Sequence, residues 1–452
     1  MQTITNKTFD EIAPGDAATL HRTLQASDVC AWAAAFEDAD LQPPDASQAA
    51  AGIVTALLAA LIGAALPGPG SSIRATSVTI AAALPIGVDL VLRVAVREKQ
   101  ATRGIVVLDG TCTGPAGQIV ATAQFDVLAP TVRLRREVAE HRLGGLLDRC
   151  KDLQPMLTGV VHPCSADALA GAVAAAESGR IVPVLLGPQA EIRQVADRAQ
   201  LDISKYRIVA TTGAGDSAQK AAASAGAGDI AALMKGSLHS DVLLHAVMQK
   251  EANLRTGRLI SHCIMMSVPT YARRFVISDV ALNMAPDTDQ KRDICQNAIG
   301  FARALGIALP KVAVLAAVEM VRTNMPATLD AAILAKMAER GQIVGGIVDG
   351  PLDLDAAVDA EAARIKRIGS PVAGVADVLI VPNIEAGNMI YKNLAFMADA
   401  QVAGLVVGAR VPVILTSRAD TAAAHRFSAA AAVLYAEALA RDPTILHPAT
   451  AE

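Results

Sequence analysis

The chain has 452 residues, 52% of them hydrophobic but only 3% aromatic, and a formal net charge of -4. Its length implies two or three domains. The acidic balance, with no basic tract, excludes the electrostatic footprint of a nucleic-acid binder. Alanine carries much of the apolar fraction, so the composition does not point to a membrane. The opening stretch MQTITNKTFDEIAPGD is polar and acidic with no apolar signal core, which predicts a cytoplasmic protein. Cys30, Cys112, Cys150, Cys164, Cys263 and Cys295 form no CxxC pair, so reduced thiols are expected. The eight histidines are scattered, without HExxH or a His/Cys cluster, and no metal is expected.

In chain order, the first long element is AAAGIVTALLAALIGAAL, residues 49–66. It is uncharged and long enough for a short membrane span. No Lys or Arg flanks it closely and no aromatic belt brackets it, so it reads as a central helix buried inside a domain. The runs SVTIAAAL, DLVLRVAVRE, GIVVLDGTCT and QIVATAQFDVLA follow. In LVLRVAVRE, apolar and charged residues alternate with period two, as in a half-exposed antiparallel strand. A sheet wrapped around a helix is therefore expected over residues 1–130. Arg133 to Arg142, basic but containing Glu137 and Glu140, reads as a solvated helix within a linker, residues 131–145.

Beyond residue 146 short apolar strands alternate with helices: MLTGVVH before SADALAGAVAAAESG, IVPVLLG before QAEIRQVADRA, RIVATT before DSAQKAAASA. KVAVLAAV, DVLIVP, AGLVVGA and VPVIL continue the series. This is the pattern of a parallel α/β sheet covered on both faces, expected over residues 146–452. Ser165 suits an N-cap and Gly179 the residue just past a helix. The glycine loops LPGPGSS and TTGAGDSA lack GxxxxGK[ST] and read as turns or caps.

Ligands of parallel sheets bind beyond the carboxyl ends of strands. After VPVIL comes TSRAD, residues 416–420; Ser417 and Arg418 suit an anion, with a hydroxyl donor beside a planar charged fork. The alternative is that Arg418 pairs with Asp420 while Thr416 and Ser417 cap the next helix. After DVLIVP comes NIEAGNMIYKNL, where Gly387 allows close approach and Asn388 can donate and accept. An ordinary strand-to-helix turn is the alternative there.

These residues carry a resemblance. IGSPVAGVADVLIVPNIEAGNMIYKNLAFMADAQVAGLVVGARVPVILTSRAD is similar to the C-terminal half of phosphate acetyltransferases and phosphate butyryltransferases. VVHPCSADALAGAV, LMKG, NLRTGRLISH and MPATLDAAILAKMAERGQIVGGIVDGPLDLDAA extend the match over about residues 143–440, and TSRAD and LRTG look closer to the butyryl branch. The resemblance implies a two-lobed parallel-sheet α/β fold like that of isocitrate dehydrogenase, forming a homo-oligomer. It implies acyl transfer between coenzyme A and inorganic phosphate, with no cofactor, nucleic acid or membrane involved. Carried over residue by residue, it implies catalytic Ser417 and Arg418, with Asp420 as the carboxylate. Acetyl-type members carry their catalytic aspartate seven residues after the serine, where this chain has Ala424. Thr416, Asn388, Gly387, Ser370, Arg255 and Lys235 are the expected substrate-binding residues, with His245 as a weaker candidate.

FEDADLQPPD followed by AAAGIVTALLAALIGAALPGPGSS resembles a MaoC-type (R)-enoyl-CoA hydratase hot-dog domain, over about residues 7–128. Asp38 matches the catalytic aspartate, but Pro43 stands at the histidine and Ala51-Gly52 at the usual HG pair. The resemblance implies a hot-dog fold with a vestigial dyad. A bifunctional enzyme that still hydrates enoyl-CoA, and a non-catalytic acyl-CoA sensor, remain as alternatives.

Overall fold

The structure, a computed structural model, describes residues 2–24, 28–29, 46–138, 143–416 and 420–446. The chain divides into two compact units, Met1–Ala139 and Glu140–Glu452.

The first unit runs β1 (Gln2–Thr5), β2 (Ala17–Thr23), α1 (Ala46–Ala64), β3 (Ser72–Ile80), β4 (Asp89–Gln100), β5 (Ile105–Thr113), β6 (Ile119–Leu128) and β7 (Arg135–Val138). Among the described residues, β2-β4-β5-β6-β3 form one antiparallel sheet in that order. This is the hot-dog architecture expected from the sequence. In β4, Leu90, Leu92, Val94 and Val96 are buried while Asp89, Arg93 and Arg97 are exposed, which is the alternation the sequence predicts. The stripe Ile53, Val54, Leu58, Leu61 and Ile62 on α1 packs into the same apolar cluster as these strand residues. Each such side chain contributes roughly 1.5–3 kcal/mol by leaving water. A Cβ on Gly110 of β5 would lie 3.0 Å from Leu58, so the small residue lets the helix sit close. No described helix is long and apolar enough to cross a membrane.

The linker expectation needs correction. Arg135–Val138 is a strand, not a helix, and pairs antiparallel with β1 from Gln2↔Val138 to Thr5↔Arg135. A short run of charged side chains serves an exposed two-stranded ribbon as well as a solvated helix, and the pairing decides between them.

The second unit begins with α2 (Gly144–Arg149), β8 (Met156–Val161), α3 (Ala166–Glu177), β9 (Ile181–Gly187), α4 (Gln189–Ala199), β10 (Arg207–Ala210), α5 (Ala214–Ala227), β11 (Ala232–Lys235) and α6 (Ser240–Val247). It continues through β12 (Ser261–Ser267), β13 (Phe275–Ser278), α7 (Thr288–Ala304), β14 (Lys311–Leu315), α8 (Pro326–Glu339), β15 (Ile347–Leu352), α9 (Leu354–Val358) and α10 (Ala360–Ile365). It ends with β16 (Val378–Ile380), α11 (Ile384–Met397), β17 (Gln401–Val407), β18 (Val413–Ile414) and α12 (Ala422–Arg441). Among the described residues the strands form one sheet, ordered β10-β9-β8-β11-β18-β17-β12-β13-β16-β14-β15.

That sheet is mixed, where a purely parallel one is expected. β10 to β18 run parallel, and so do β13, β16, β14 and β15. The two blocks point in opposite directions because β18-β17, β17-β12 and β12-β13 are antiparallel. A continuous apolar run reports burial on both faces and carries no information on strand direction. Ser165 caps α3 by accepting from the Ala168 amide at 3.4 Å, and Gly179 follows that helix with φ +71°, as expected. Gly213 takes the N-cap position of α5, and Gly68 and Gly70 turn the chain between α1 and β3.

Candidate active site

β11 and β18 lie side by side and parallel, with Leu233 opposite Val413 and Met234 opposite Ile414. Their carboxyl ends therefore deliver Lys235 and Thr416 to the same place. A cavity of about 550 Å³ opens there, lined by Ser165, Lys235, Ser237, Thr416, Asp420 and His425 among others. A second, of about 380 Å³, is lined by Lys235, His262, Asn388, Tyr391, Lys392 and Thr416 among others. Lys235 and Thr416 belong to both, so the two cavities adjoin. The second takes residues from both blocks of the sheet, since Asn388 and Tyr391 sit on α11, just after β16.

Thr416 follows the end of β18, and Asp420 stands just ahead of α12. Thr421 caps α12 by accepting from the Ala424 amide at 3.2 Å. The positive end of the α12 dipole therefore opens beside the first cavity, where negative charge is favoured. Tyr391 Oη donates to Asp420 Oδ1 at 3.3 Å. Burial first, and Asp420 second, push the Tyr391 phenol above its ordinary range, so it remains a donor.

His425 is buried one turn into α12, its Nδ1 3.4 Å from Thr416 Oγ1. Burial lowers its pKa while Asp420 opposes that shift, and the imidazole is neutral near pH 7. Its ring leaves no room on α3: a Cβ at Gly171 would approach it to 2.6 Å. His262, on β12, is fully enclosed, and burial pushes it down to about 4 against a weaker favourable effect of the Leu415 carbonyl. Ala424, the position of the acetyl-type aspartate, is buried in the apolar cluster that holds Tyr391 and Val402. A carboxylate there would be desolvated, whereas Asp420 borders a cavity.

The remaining predicted site residues divide. Lys235, Thr416 and Asp420 come together, and Asn388 joins them through the second cavity. Ser417 and Arg418 lie outside the described residues, as does Asp38. Asn388 also donates to the Val280 carbonyl at 3.1 Å. A Cβ at Gly387 would lie 2.5 Å from the Asp279 carbonyl, so this glycine lets α11 dock on the loop after β13. Ser370 serves a turn, accepting from the amides of Val372 and Ala373 at 3.1 and 3.3 Å, and lines neither cavity. Arg255 is exposed on the loop ahead of β12 and lines neither. His245 faces a separate cavity between α5 and α6.

Sequence reasoning missed His262, Tyr391 as the partner of Asp420, and His425. His262 and His425 sit in largely apolar stretches, LISHCIMM and TAAAHRFSAA, with nothing nearby in sequence to mark them; the five-residue offset from the TSRAD aspartate is the available signal for His425. It also missed that the fold gathers His162, Cys164 and Glu191 at the carboxyl end of β8.

Comparison with known proteins places these residues in context. Residues 189–433 match the model of the family described as Phosphate acetyl/butaryl transferase. A phosphate acetyltransferase of Rhizobium meliloti is 51% identical over 305 residues, covering 68% of this chain and 96% of the relative. A phosphate butyryltransferase of Clostridium acetobutylicum is 40% identical over 262 residues, covering 58% of this chain and 87% of the relative. The crystal structure of a branched-chain phosphotransacylase from Enterococcus faecalis V583 superposes with a TM-score of 0.55 at 28% identity, over 62% of this chain and 99% of that one.

Proposed function

The chain belongs to the phosphate acetyl/butaryl transferase family, and we propose that its acyl transfer takes place where Lys235, Thr416 and Asp420 meet. The protein is an acyltransferase, moving an acyl group between coenzyme A and inorganic phosphate. The observation that supports this location is the geometry around Asp420. A carboxylate at a helix N-terminus, hydrogen-bonded by a buried phenol, faces a cavity that also holds a lysine and a threonine hydroxyl.

In this reading a phosphate oxygen attacks the thioester carbonyl carbon. Negative charge builds on the carbonyl oxygen, the C–S bond breaks, and the acyl phosphate and CoA thiolate separate. Arg418 holds phosphate through its fork, Ser417 donates to the carbonyl oxygen, and Lys235 adds positive charge at the shared mouth. Asp420 manages the sulfur proton. In the reverse direction it takes the proton from the CoA thiol, whose pKa is about 8.5 by analogy with cysteine, so that sulfur can attack the acyl phosphate. Tyr391 keeps Asp420 oriented. Asn388 contributes to binding from the second cavity. Coenzyme A and phosphate are substrates, and no cofactor enters this scheme. A cytoplasmic homo-oligomer completes the reading.

The test is thiol release from acetyl-, butyryl- and valeryl-CoA by the full chain, with and without phosphate. Phosphate-dependent release is expected, and its rate across the series identifies the acyl length. Binding of acyl-CoA without release would replace the enzyme with a sensor.

A further inference from the structure

We propose that His162, Cys164 and Glu191 form a binding site for one zinc-type divalent cation, independent of the acyl-transfer reading. An imidazole nitrogen, a thiol sulfur and a carboxylate oxygen lie there within 4.8 Å of one another. The Cys164 Sγ to His162 Nδ1 distance is 3.6 Å. Ligands at Zn–S ~2.3 Å and Zn–N ~2.0–2.1 Å, set at the tetrahedral angle, stand ~3.5–3.6 Å apart, so this pair already has the spacing of two zinc ligands. Glu191 belongs to the first turn of α4 and brings the oxygen on a flexible stem.

The backbone beneath the donors is tightly held. His162 adopts φ +54°. Its amide donates to the Leu186 carbonyl at 2.7 Å, and its carbonyl accepts from the Ser237 amide at 2.9 Å and the Ser237 hydroxyl at 2.7 Å. The Cys164 amide donates to the His162 carbonyl at 2.9 Å and to Ser237 Oγ at 3.2 Å. An uncommon backbone conformation at a non-glycine residue, fixed on several sides, is how a fold pre-aims a donor. The donor set also selects the ion. A thiolate with an imidazole suits zinc and disfavours magnesium or calcium, which take oxygen ligands. Zinc displaces the Cys164 thiol proton to solvent on binding, and the resulting thiolate and the carboxylate together balance its 2+ charge. His162 and Cys164 are half-buried and Glu191 is exposed, leaving an entry path. Three protein ligands leave a fourth position for water. Bound there, the cation would fasten the loop after β8 to α4, next to the Ser165 cap.

The experiment uses the full chain, loaded with zinc alone, passed through metal-free buffer and assayed by elemental mass spectrometry. Zinc affinity is measured by competition with a fluorescent chelator. About one zinc per chain is expected. Cobalt in its place should show a thiolate charge-transfer band. Cys164→Ser should lose the band and weaken zinc binding at least ~100-fold, while Cys30→Ser should retain both. Glu191→Gln, on an exposed side chain, should weaken binding ~10-fold or more, and keeps the test decisive if Cys164→Ser does not fold. No retained zinc in the parent chain, or zinc that persists unchanged in Glu191→Gln and Cys164→Ser, would overturn the site.

Discussion

Both units lay an alanine-rich helix against a sheet, and the two helices differ in what they bury. On α1 the described buried positions, Ala50, Ile53, Val54, Leu58, Leu61 and Ile62, are apolar throughout. On α12, within a wall of buried residues from Ala424 to Tyr435, His425 and Ser428 are buried as well. Ser428 Oγ accepts from the Gly404 amide at 3.0 Å, and His425 meets Thr416. A helix with a purely apolar inner face supports a sheet. A helix that spends burial on partnered polar groups holds a neighbouring segment in one arrangement, here the end of β18 beside the cavity. Composition alone does not separate the two.

The largest expected effect would break the comparison if absent. Arg418→Ala should cut phosphate-dependent turnover by about 10²–10³, the usual cost of a donor aimed at developing charge. Arg418→Lys keeps the charge without the fork and should still lose at least about tenfold. Kinetics indistinguishable from the parent would remove chemistry from this end of the sheet.

Next comes His262. Its native pKa of about 4 lies below the unfolded value of 6.5, so the unfolded chain binds the extra proton first. Its contribution is fully present above pH 6.5 and lost as pH falls towards 4, on the order of 3 kcal/mol. Thermal unfolding between pH 7 and pH 4 should therefore be less pH-dependent in His262→Gln than in the parent. Parallel slopes would mean that His262 is already protonated in the folded state.

Asp420→Asn should slow acyl transfer to CoA by tens of fold at neutral pH, and less at high pH, where thiolate forms unaided. Tyr391→Phe should cost about fivefold with the same pH trend, matching one hydrogen bond of about 1 kcal/mol. A uniform drop across pH in both variants would leave Asp420 a structural residue. The smallest effect sharpens the contrast from the other side. Crotonyl-CoA hydration by the full chain should stay below about one per second, since one positioned acid–base group is worth 10²–10⁴-fold, and Asp38→Ala should leave acyl transfer unchanged. Faster hydration, abolished by Asp38→Ala, would make the first unit an enzyme too.

Much of this was legible in the sequence. Period-two alternation located β4, and cap chemistry located both ends of α3. The strand ending in TSRAD led to the cavity where Asp420 and Thr416 meet Lys235. What escaped follows from how burial erases pattern. β12 and β13, SHCIMMS and FVIS, are buried along their whole length and carry no alternation, so the antiparallel seam was invisible. Ser370 and Arg255 occupy glycine-punctuated loops that look like binding turns in sequence, and only tertiary placement separates a turn that holds substrate from one that holds itself. His162, Cys164 and Glu191 were split between a strand end and the next helix, and proximity there is a property of the β8–β9 pairing.

β18 is inserted between β11 and β17, and it is made about 180 residues after β11. On the ribosome, at roughly 5–20 residues per second, β11 waits about ten to forty seconds for its neighbour. Throughout that interval a nascent chain exposes an open slot in its sheet, with Lys235 at its rim and no Thr416 or Asp420 beside it. The proposed acyl-transfer cleft is thus among the last parts of the protein to exist. A chain released short of residue 413 would keep most of its strands, offer an unpaired edge to other chains, and lack Thr416 and Asp420 beside Lys235.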